Sequence, residues 1–227
     1  MQIGDTFCEG LLKYSVVNAT EVAVKGFADD FNHRNAKTLL IPVRVRGMSV
    51  VTITKEAFAQ SRLEEVDIPE TITVIGTEAF ASCRWLRHVR FGKRDAKKTI
   101  LIDERAFIAC PYLVKVLSED KSAVVQLSIH AFQDCVNLEL FEPLIRVMQE
   151  EVFIDCWSLF YVQMHNPAYF QKEAFLGSSI NSIGLESIST LSQNTQAYIR
   201  DSGIIIKCNP NSPVTDAVYE GYTVEVN

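Results

Sequence analysis

The chain has 227 residues, 48% of them apolar, so it can bury roughly 70 to 75% of the surface that its unfolded form exposes and needs no covalent staples to fold. A formal charge of −6 at pH 7 and a pI near 5.3 exclude a nucleic-acid or anionic-membrane surface as its main business, because both need a net basic footprint. No run approaches the roughly 18 to 20 apolar residues of a membrane span, and the six cysteines include no C-x-x-C pair or zinc-spaced Cys/His cluster.

The opening, MQIGDTFCEGLLKYSVVNATEV, lacks a basic segment leading into an uninterrupted apolar one, so no secretory signal is read there. Within residues 10 to 30, GLLKYSVV and TEVAVKGF alternate and predict paired strands. Asn18-Ala19-Thr20 between them is a formal glycosylation sequon, meaningful only in a eukaryotic secretory route.

The sequence then repeats itself. Ala-Phe recurs at Phe58, Phe80, Phe107, Phe132 and Phe175, with Val152-Phe153 as a conservative copy, at intervals of 22, 27, 25, 21 and 22 residues. Five residues before each Phe stand Ile53, Ile75, Ile102, Leu127, Met148 and Phe170. Five or six after it stand Leu63, Leu86, Leu113, Leu138, Leu159 and Ile180, and three further on Val66, Val89, Val116, Phe141, Val162 and Ile183. Apolar columns in fixed register are the mark of a solenoid, whose single coil cannot bury its own apolar face. Within a unit, Val66 and Ile68 point inward while Glu65 and Asp67 point out, and Pro69 ends the strand because it has no N–H to donate.

The third residue after each Phe is Ser61, Cys83, Cys110, Cys135, Cys156 or Ser178. A position filled by Cys or Ser in coil after coil reads as a small buried space-filler. In the stretch TVIGTEAFASCRWLRHVRF, Cys83 also stands five residues before His88, as a nucleophile and its base could. The counterparts of His88 are Glu65, Lys115, Leu140, Tyr161 and Ser182, so no Cys-His pairing recurs. Equivalent residues on stacked coils have nearly parallel Cα–Cβ vectors, which disfavours disulfides, and free buried thiols are expected.

The unit from Leu63, LEEVDIPETITVIGTEAFASCRW, resembles the BspA-like leucine-rich repeat family through the run L-x-x-V-x-I-P-x-x-I-x-x-I-G-x-x-A-F-x-x-C. The likeness covers about residues 39 to 184, and YSVVNATEVAVKGF followed by LLIPVRVRGMSVVTI looks like the family's lead-in. It implies a leucine-rich-repeat solenoid, a right-handed coil of short parallel β-strands with short helical or turn segments opposite. It also implies a surface or secreted location, a role in adhesion or protein binding with a protein or cell-surface ligand as partner, and neither catalysis nor a cofactor. The expected organisation is one domain, with a small β cap over 1–38, six repeats over 39–184, and a degenerate repeat with a C-terminal cap over 185–227. In that last part Ala197-Tyr198 marks a possible seventh unit. SGIIIKCNPNSPVTDAVYEGYTVEVN predicts a strand, a turn on Asn209-Pro210-Asn211, a short helix from about Pro213 and a last strand.

Outward strand positions stack into two columns. The first is Glu65, His88, Lys115, Leu140, Tyr161 and Ser182, and the second is Asp67, Arg90, Leu117, Glu142, Gln163 and Gly184. Opposite charges meet at Glu65/His88 and Asp67/Arg90. A candidate protein-binding face therefore comprises His88, Arg90, Lys115, Leu117, Leu140, Tyr161 and Gln163, with Tyr161 as anchor, set against the plain reading of a solvated, self-paired face. Trp157 and Phe160 either join this face or pack inside. The two long intervals reflect insertions, GKRDAKKT at 92 to 99 and SEDKSA at 118 to 123. The first carries Lys93, Arg94, Lys97 and Lys98, a candidate binding loop for an acidic partner. His33, His130 and His165 have no Cys, Asp or Glu at metal-helix spacing that recurs or converges, so each reads as ordinary, and there is no glycine-rich phosphate loop, G-x-S-x-G or H-E-x-x-H. Two alternatives stand beside the binding module: a structural spacer or assembly element without a private ligand, and a cysteine-dependent enzyme using Cys83 with His88, or Cys8 or Cys208.

Overall fold

Each repeat folds into one coil of a stack carrying two parallel sheets, in a computed structural model that describes residues 1–29, 36–95, 98–171, 174–185, 193–208 and 222–226. The L-x-x-V-x-I segments form the first sheet, with β4 (Thr38–Leu40), β7 (Glu65–Ile68), β9 (His88–Phe91), β11 (Lys115–Ser118) and β13 (Leu140–Phe141). Its register aligns Thr38, Glu65, His88, Lys115 and Leu140. The residues between them, Leu39, Val66, Val89, Val116 and Phe141, all point into the core.

Past the proline the chain turns and forms a second strand, which the sequence pattern showed only as apolar columns. Here β6 (Met48–Ile53), β8 (Val74–Ile75), β10 (Thr99–Ile102), β12 (Val124–Leu127) and β14 (Leu144–Met148) run parallel in a ladder. Stacking gives the backbone groups of this side partners in the neighbouring coil, which segments packed this closely require. β15 (Tyr161–Phe170) is long enough to serve both sheets. Its last part pairs with β14, and its first part pairs with β16 (Ser182–Gly184).

The third side, carrying each Phe, is a set of tight turns rather than a helix. Alternate amides have different partners there: Ala57, Ala59 and Ser61 donate to carbonyls three residues back, whereas Glu56, Phe58 and Gln60 donate to Thr77, Ala79 and Ala81 of the next coil. A left-handed residue on either side of each Phe makes this alternation possible, at Glu56/Gln60, Glu78/Ser82, Arg105/Ala109, His130/Asp134 and Glu151/Asp155, with φ between 54° and 60°. The rings of Phe58, Phe80, Phe107, Phe132 and Phe153 stack between them, with centroids 5.0 to 5.6 Å apart. Gly76 lets two coils touch: a Cβ there would lie 2.9 Å from the Ile53 carbonyl oxygen.

At the first end, β1 (Thr6–Glu9), β2 (Leu12–Val16) and β3 (Glu21–Phe27) form an antiparallel meander. β3 then continues parallel onto β6, while the short β5 (Arg44–Val45) pairs antiparallel with β6. At the other end, α1 (Gln193–Ser202) takes the place of the tight turn, and the Tyr198 ring stacks on Phe175 at 6.1 Å. β17 (Ile205–Cys208) and β18 (Thr223–Val226) extend the stack beyond β16. The expected turn on Asn209-Pro210-Asn211 and the helix from Pro213 lie outside the described residues, as do Lys97 and His33.

Candidate functional site

On the outer face of the first sheet, the two columns keep the expected register from Glu65 and Asp67 through His88 and Arg90 to Lys115 and Leu117, with Leu140 beside Lys115. Tyr161 and Gln163 pair onward with Ser182 and Gly184, which are buried. The early half of the face is consumed by its own charges. Arg90 Nη1 donates to Glu65 Oε2 at 2.9 Å and to Asp67 Oδ1 at 3.2 Å, and His88 Nδ1 lies 3.3 Å from Glu65 Oε1. The guanidinium first, and the imidazole after it, hold the Glu65 carboxyl below its ordinary value. A group already shared in this way has little left for a partner, so His88 and Arg90 contribute shape and polarity more than attraction.

Past β9 the face changes character. Lys115 is exposed, and among the described residues no carboxylate pairs with it. Beside it Leu140 is 39% exposed and Tyr161 37%, while Phe160 and Trp157 stand out at 54% and 62% and do not pack inside. Leu117 is half-buried between β9 and β13, whereas Glu142 turns its carboxylate to accept the Ser118 N–H at 2.9 Å. Tyr161 does not project freely. Its ring lies over Gly184, where a Cβ would come within 2.2 Å of the phenol oxygen and 2.0 Å of Gln163 Oε1, and the hydroxyl donates to that same oxygen. Lys207 Nζ sits 5.8 Å from the ring centroid, and burial pushes the phenol pKa up. Gly184 thus shapes this half of the face, a role hidden in sequence because the column it belongs to gives no sign of which side chain covers it.

The first insertion, read in the sequence as a candidate basic binding loop for an acidic partner, has two of its cations already engaged. Arg94, expected as a surface cation, is buried, and its guanidinium donates to the carbonyls of Ile72 and Pro69 at 3.0 Å. Burial lowers its pKa to about 10, which leaves it charged at neutral pH. With its donors fixed in a planar fork, the guanidinium spans both carbonyls at once, one from each terminal nitrogen. Lys93 is tied to the second insertion: its N–H reaches Glu119 Oε2 at 3.0 Å and its Nζ reaches Asp120 at 2.7 Å. The Arg94 N–H adds a bond to Ser122 Oγ at 3.0 Å. Of the four cations read in this loop, only Lys98 is both described and exposed without such a tie.

The thiol column is internal. Cys83, Cys110, Cys135 and Cys156 are free and fully buried, and each S–H points at the Phe carbonyl of the preceding coil, from 3.1 to 3.2 Å. Ser61 continues the column, with Oγ 3.3 Å from Cys83 Sγ. The Cys110 contact and burial push Cys83 well above the ordinary thiol range, and burial does the same to Cys135. At Cys110, too, burial opposes a thiolate, and its S–H is already donated to the Phe80 carbonyl. His88 is on the outer sheet face, bonded to Glu65, with no thiol beside it. Among the described residues no group of three or more His, Cys, Asp or Glu converges as a metal site, and no helix is long and apolar enough to cross a membrane.

A family model for the BspA type leucine-rich repeat region matches residues 95–201 in 6 copies. Among solved structures, a leucine-rich repeat protein from Eubacterium ventriosum is 22% identical with a TM-score of 0.55, covering 78% of this chain and 50% of that one. A leucine-rich cell surface protein from Faecalibacterium prausnitzii is 19% identical with a TM-score of 0.51, over 80% and 48%. A leucine-rich repeat protein from Bacteroides ovatus is 16% identical with a TM-score of 0.50, over 96% and 66%. The chain thus spans about half the length of the first two, and the likeness to all three is one of fold. No curated protein matches the chain.

Proposed function

Because the chain is a leucine-rich repeat protein of the BspA type, we propose that it is a non-catalytic binding module, displayed at a cell surface, that captures a protein partner on the outer face of its first sheet. The surface location rests on the family and on the description of the Faecalibacterium prausnitzii relative as a cell surface protein. The observation that carries the reading is the uneven face: self-paired charge at Glu65, Asp67, His88 and Arg90, then exposed Leu140, Tyr161 and Phe160 with unpaired Lys115 beside them. Exposed aromatic and aliphatic groups next to a cation are what interface hot spots are made of. Tyr161, already held by Gln163 and Gly184, loses little freedom on binding.

The test is capture of proteins from intact cell surfaces by the wild type and by a Leu140→Glu, Tyr161→Ala double variant. The variant should keep its melting temperature within a few degrees and lose capture by roughly tenfold or more, the size of a lost hot spot. Undiminished capture would place the binding surface elsewhere. A variant that changes only self-association in sedimentation would make the chain an assembly element instead.

A further inference from the structure

The corner where each coil leaves its Phe turn for the first sheet carries a group of cations that the fold leaves unpaired. Arg62 and Arg84 follow Ser61 and Cys83 on neighbouring coils, and Arg87 lies three residues past Arg84. All three are exposed, and among the described residues none has a carboxylate partner. The carboxylates nearest in register are already engaged, Glu64 by Lys37 and Glu65 by Arg90 with His88. Glu139, the next one along this edge, stands two coils beyond Arg87. Arg62 and Arg84 are thus like charges one coil apart, where the Phe58 and Phe80 ring centroids are separated by 5.4 Å, and they repel.

Two aromatic rings on the same corner are equally unused by the fold. Trp85 and Tyr112 stand two residues past Cys83 and Cys110, and each is 54% exposed. The residues at this position in the next two coils are structural: Asn137 Nδ2 donates to the Pro111 carbonyl at 2.7 Å, and Ser158 Oγ to that of Val136 at 3.0 Å. Trp85 and Tyr112 make no such bond, and among the described residues neither ring packs on another aromatic. Their backbone is nevertheless fixed. The Leu86 N–H donates to the Cys83 carbonyl at 3.1 Å, the Arg87 N–H to Glu64 at 2.8 Å, and the Leu113 N–H to Cys110 at 3.0 Å. A rigid corner therefore presents ring faces, an indole N–H, a phenol hydroxyl and free guanidinium groups together.

We propose that this corner is a binding site, separate from the Leu140–Tyr161 face, for a linear polyuronate glycan. Sugar rings lie with their C–H faces on Trp85 and Tyr112, and the carboxylates are held by the guanidinium forks of Arg62, Arg84 and Arg87. Both partners repeat at a similar step: one coil, 5.0 Å between the Phe80 and Phe107 rings, is close to the length of one sugar in an extended chain. An acidic peptide matches the charges but brings no ring face for the aromatics to cover. The net charge of −6 gives no general attraction for a polyanion, so binding depends on this patch. The choice of a glycan over a nucleic acid rests on the cell-surface location proposed above.

The test is a titration of the full ¹⁵N-labelled chain with octagalacturonate, octaglutamate and octathymidylate at one ionic strength, followed by amide shifts. The first two carry equal charge, so a preference between them reports the sugar rings. Octagalacturonate should give saturable shifts at Arg84, Trp85, Arg87 and Tyr112, and the other two should bind at least roughly fivefold more weakly. Trp85→Ala should cost a similar factor. Removing two exposed cations, in Arg84→Ala with Arg87→Ala, should weaken binding by roughly 3- to 20-fold. Lys25→Ala with Lys121→Ala removes the same charge from exposed sites elsewhere and should change nothing, as should Tyr161→Ala. No saturable shift, no loss in Trp85→Ala, an equal loss in the lysine pair, or equal binding of octaglutamate or octathymidylate would overturn the proposal. So would a loss in Tyr161→Ala, which would move the glycan to the other face. Intact glycan binding by a chain that captures no protein would support this site and remove the Leu140–Tyr161 reading.

Discussion

At the residue scale, the most demanding positions are the left-handed ones that flank each Phe. None of the ten is glycine, although an L-residue there costs about 1 to 2 kcal/mol. The reason is visible in the hydrogen bonds: eight of the ten, all but His130 and Glu151, donate their own amides to a carbonyl of the next coil, and that ladder compensates for the strain. Ala109, with φ of 55°, has no long side chain to complicate the comparison. Ala109→Gly should therefore be neutral or stabilise by up to ~1 kcal/mol, since relief of strain outweighs the added unfolded-state entropy of about 0.4 to 1 kcal/mol. Buried Ala79→Gly, with ordinary backbone, should cost about 1 to 2 kcal/mol through the lost methyl and the same entropy. Denaturant melts of both variants decide the matter, and equal losses would refute the strain argument. Sequence could not reveal these positions, because Glu, Gln, Ser, Arg, Ala, His and Asp fill them and none is a turn signal in common. The Cys column, by contrast, was legible from recurrence alone, although its second role, donating S–H to the Phe carbonyls, was not.

At the scale of elements, the strand face and the loops respond to different perturbations. The Glu65 carboxyl has a lowered folded pKa, so its pairing contributes stability above the unfolded glutamate value of about 4.3 and loses it as pH falls through the lower folded one. Wild type should therefore lose melting temperature more steeply than Glu65→Gln on going from about pH 5 to pH 3. Parallel curves would show that the cluster contributes nothing to folding. In the loops, Arg94→Lys retains the charge but cannot span the carbonyls of Pro69 and Ile72, and a buried carbonyl left without a donor costs about 1 to 3 kcal/mol. That variant should melt earlier and show faster amide exchange at Lys93 and Ser122, and an unchanged exchange rate would contradict the clasp. The insertions were readable as interruptions of the period, but not their mutual ties. Those depend on the first insertion standing one coil before the second, so that Lys93 meets Glu119 and Asp120 across adjacent coils.

At the scale of the whole molecule, period and register carried most of the fold. The apolar columns at Phe −5, Phe, and the following Leu and Val all lie in one core, and the charges expected to meet on neighbouring strands do meet. The second sheet escaped notice because only its Phe −5 column is apolar in every coil: two residues earlier stand Val51, Thr73, Ile100, Val125 and Arg146, so no shared alternation declares a strand. What unifies the structure is continuity between coils. The stacked rings and the thiol column run through Phe80, Phe107 and Phe132 without interruption, and the two ladders run beside them on the other sides of the same coils. A chain built this way seals its column of thiols inside. The measurement that tests this most directly is a native-state alkylation time course at neutral pH, read by peptide mass spectrometry across all six cysteines. Exposed Cys8 should label first, with Cys83, Cys110, Cys135 and Cys156 protected until denaturant releases them together. Rapid labelling of Cys83, at the pace of Cys8, would contradict the account and reopen that thiol as a reactive site.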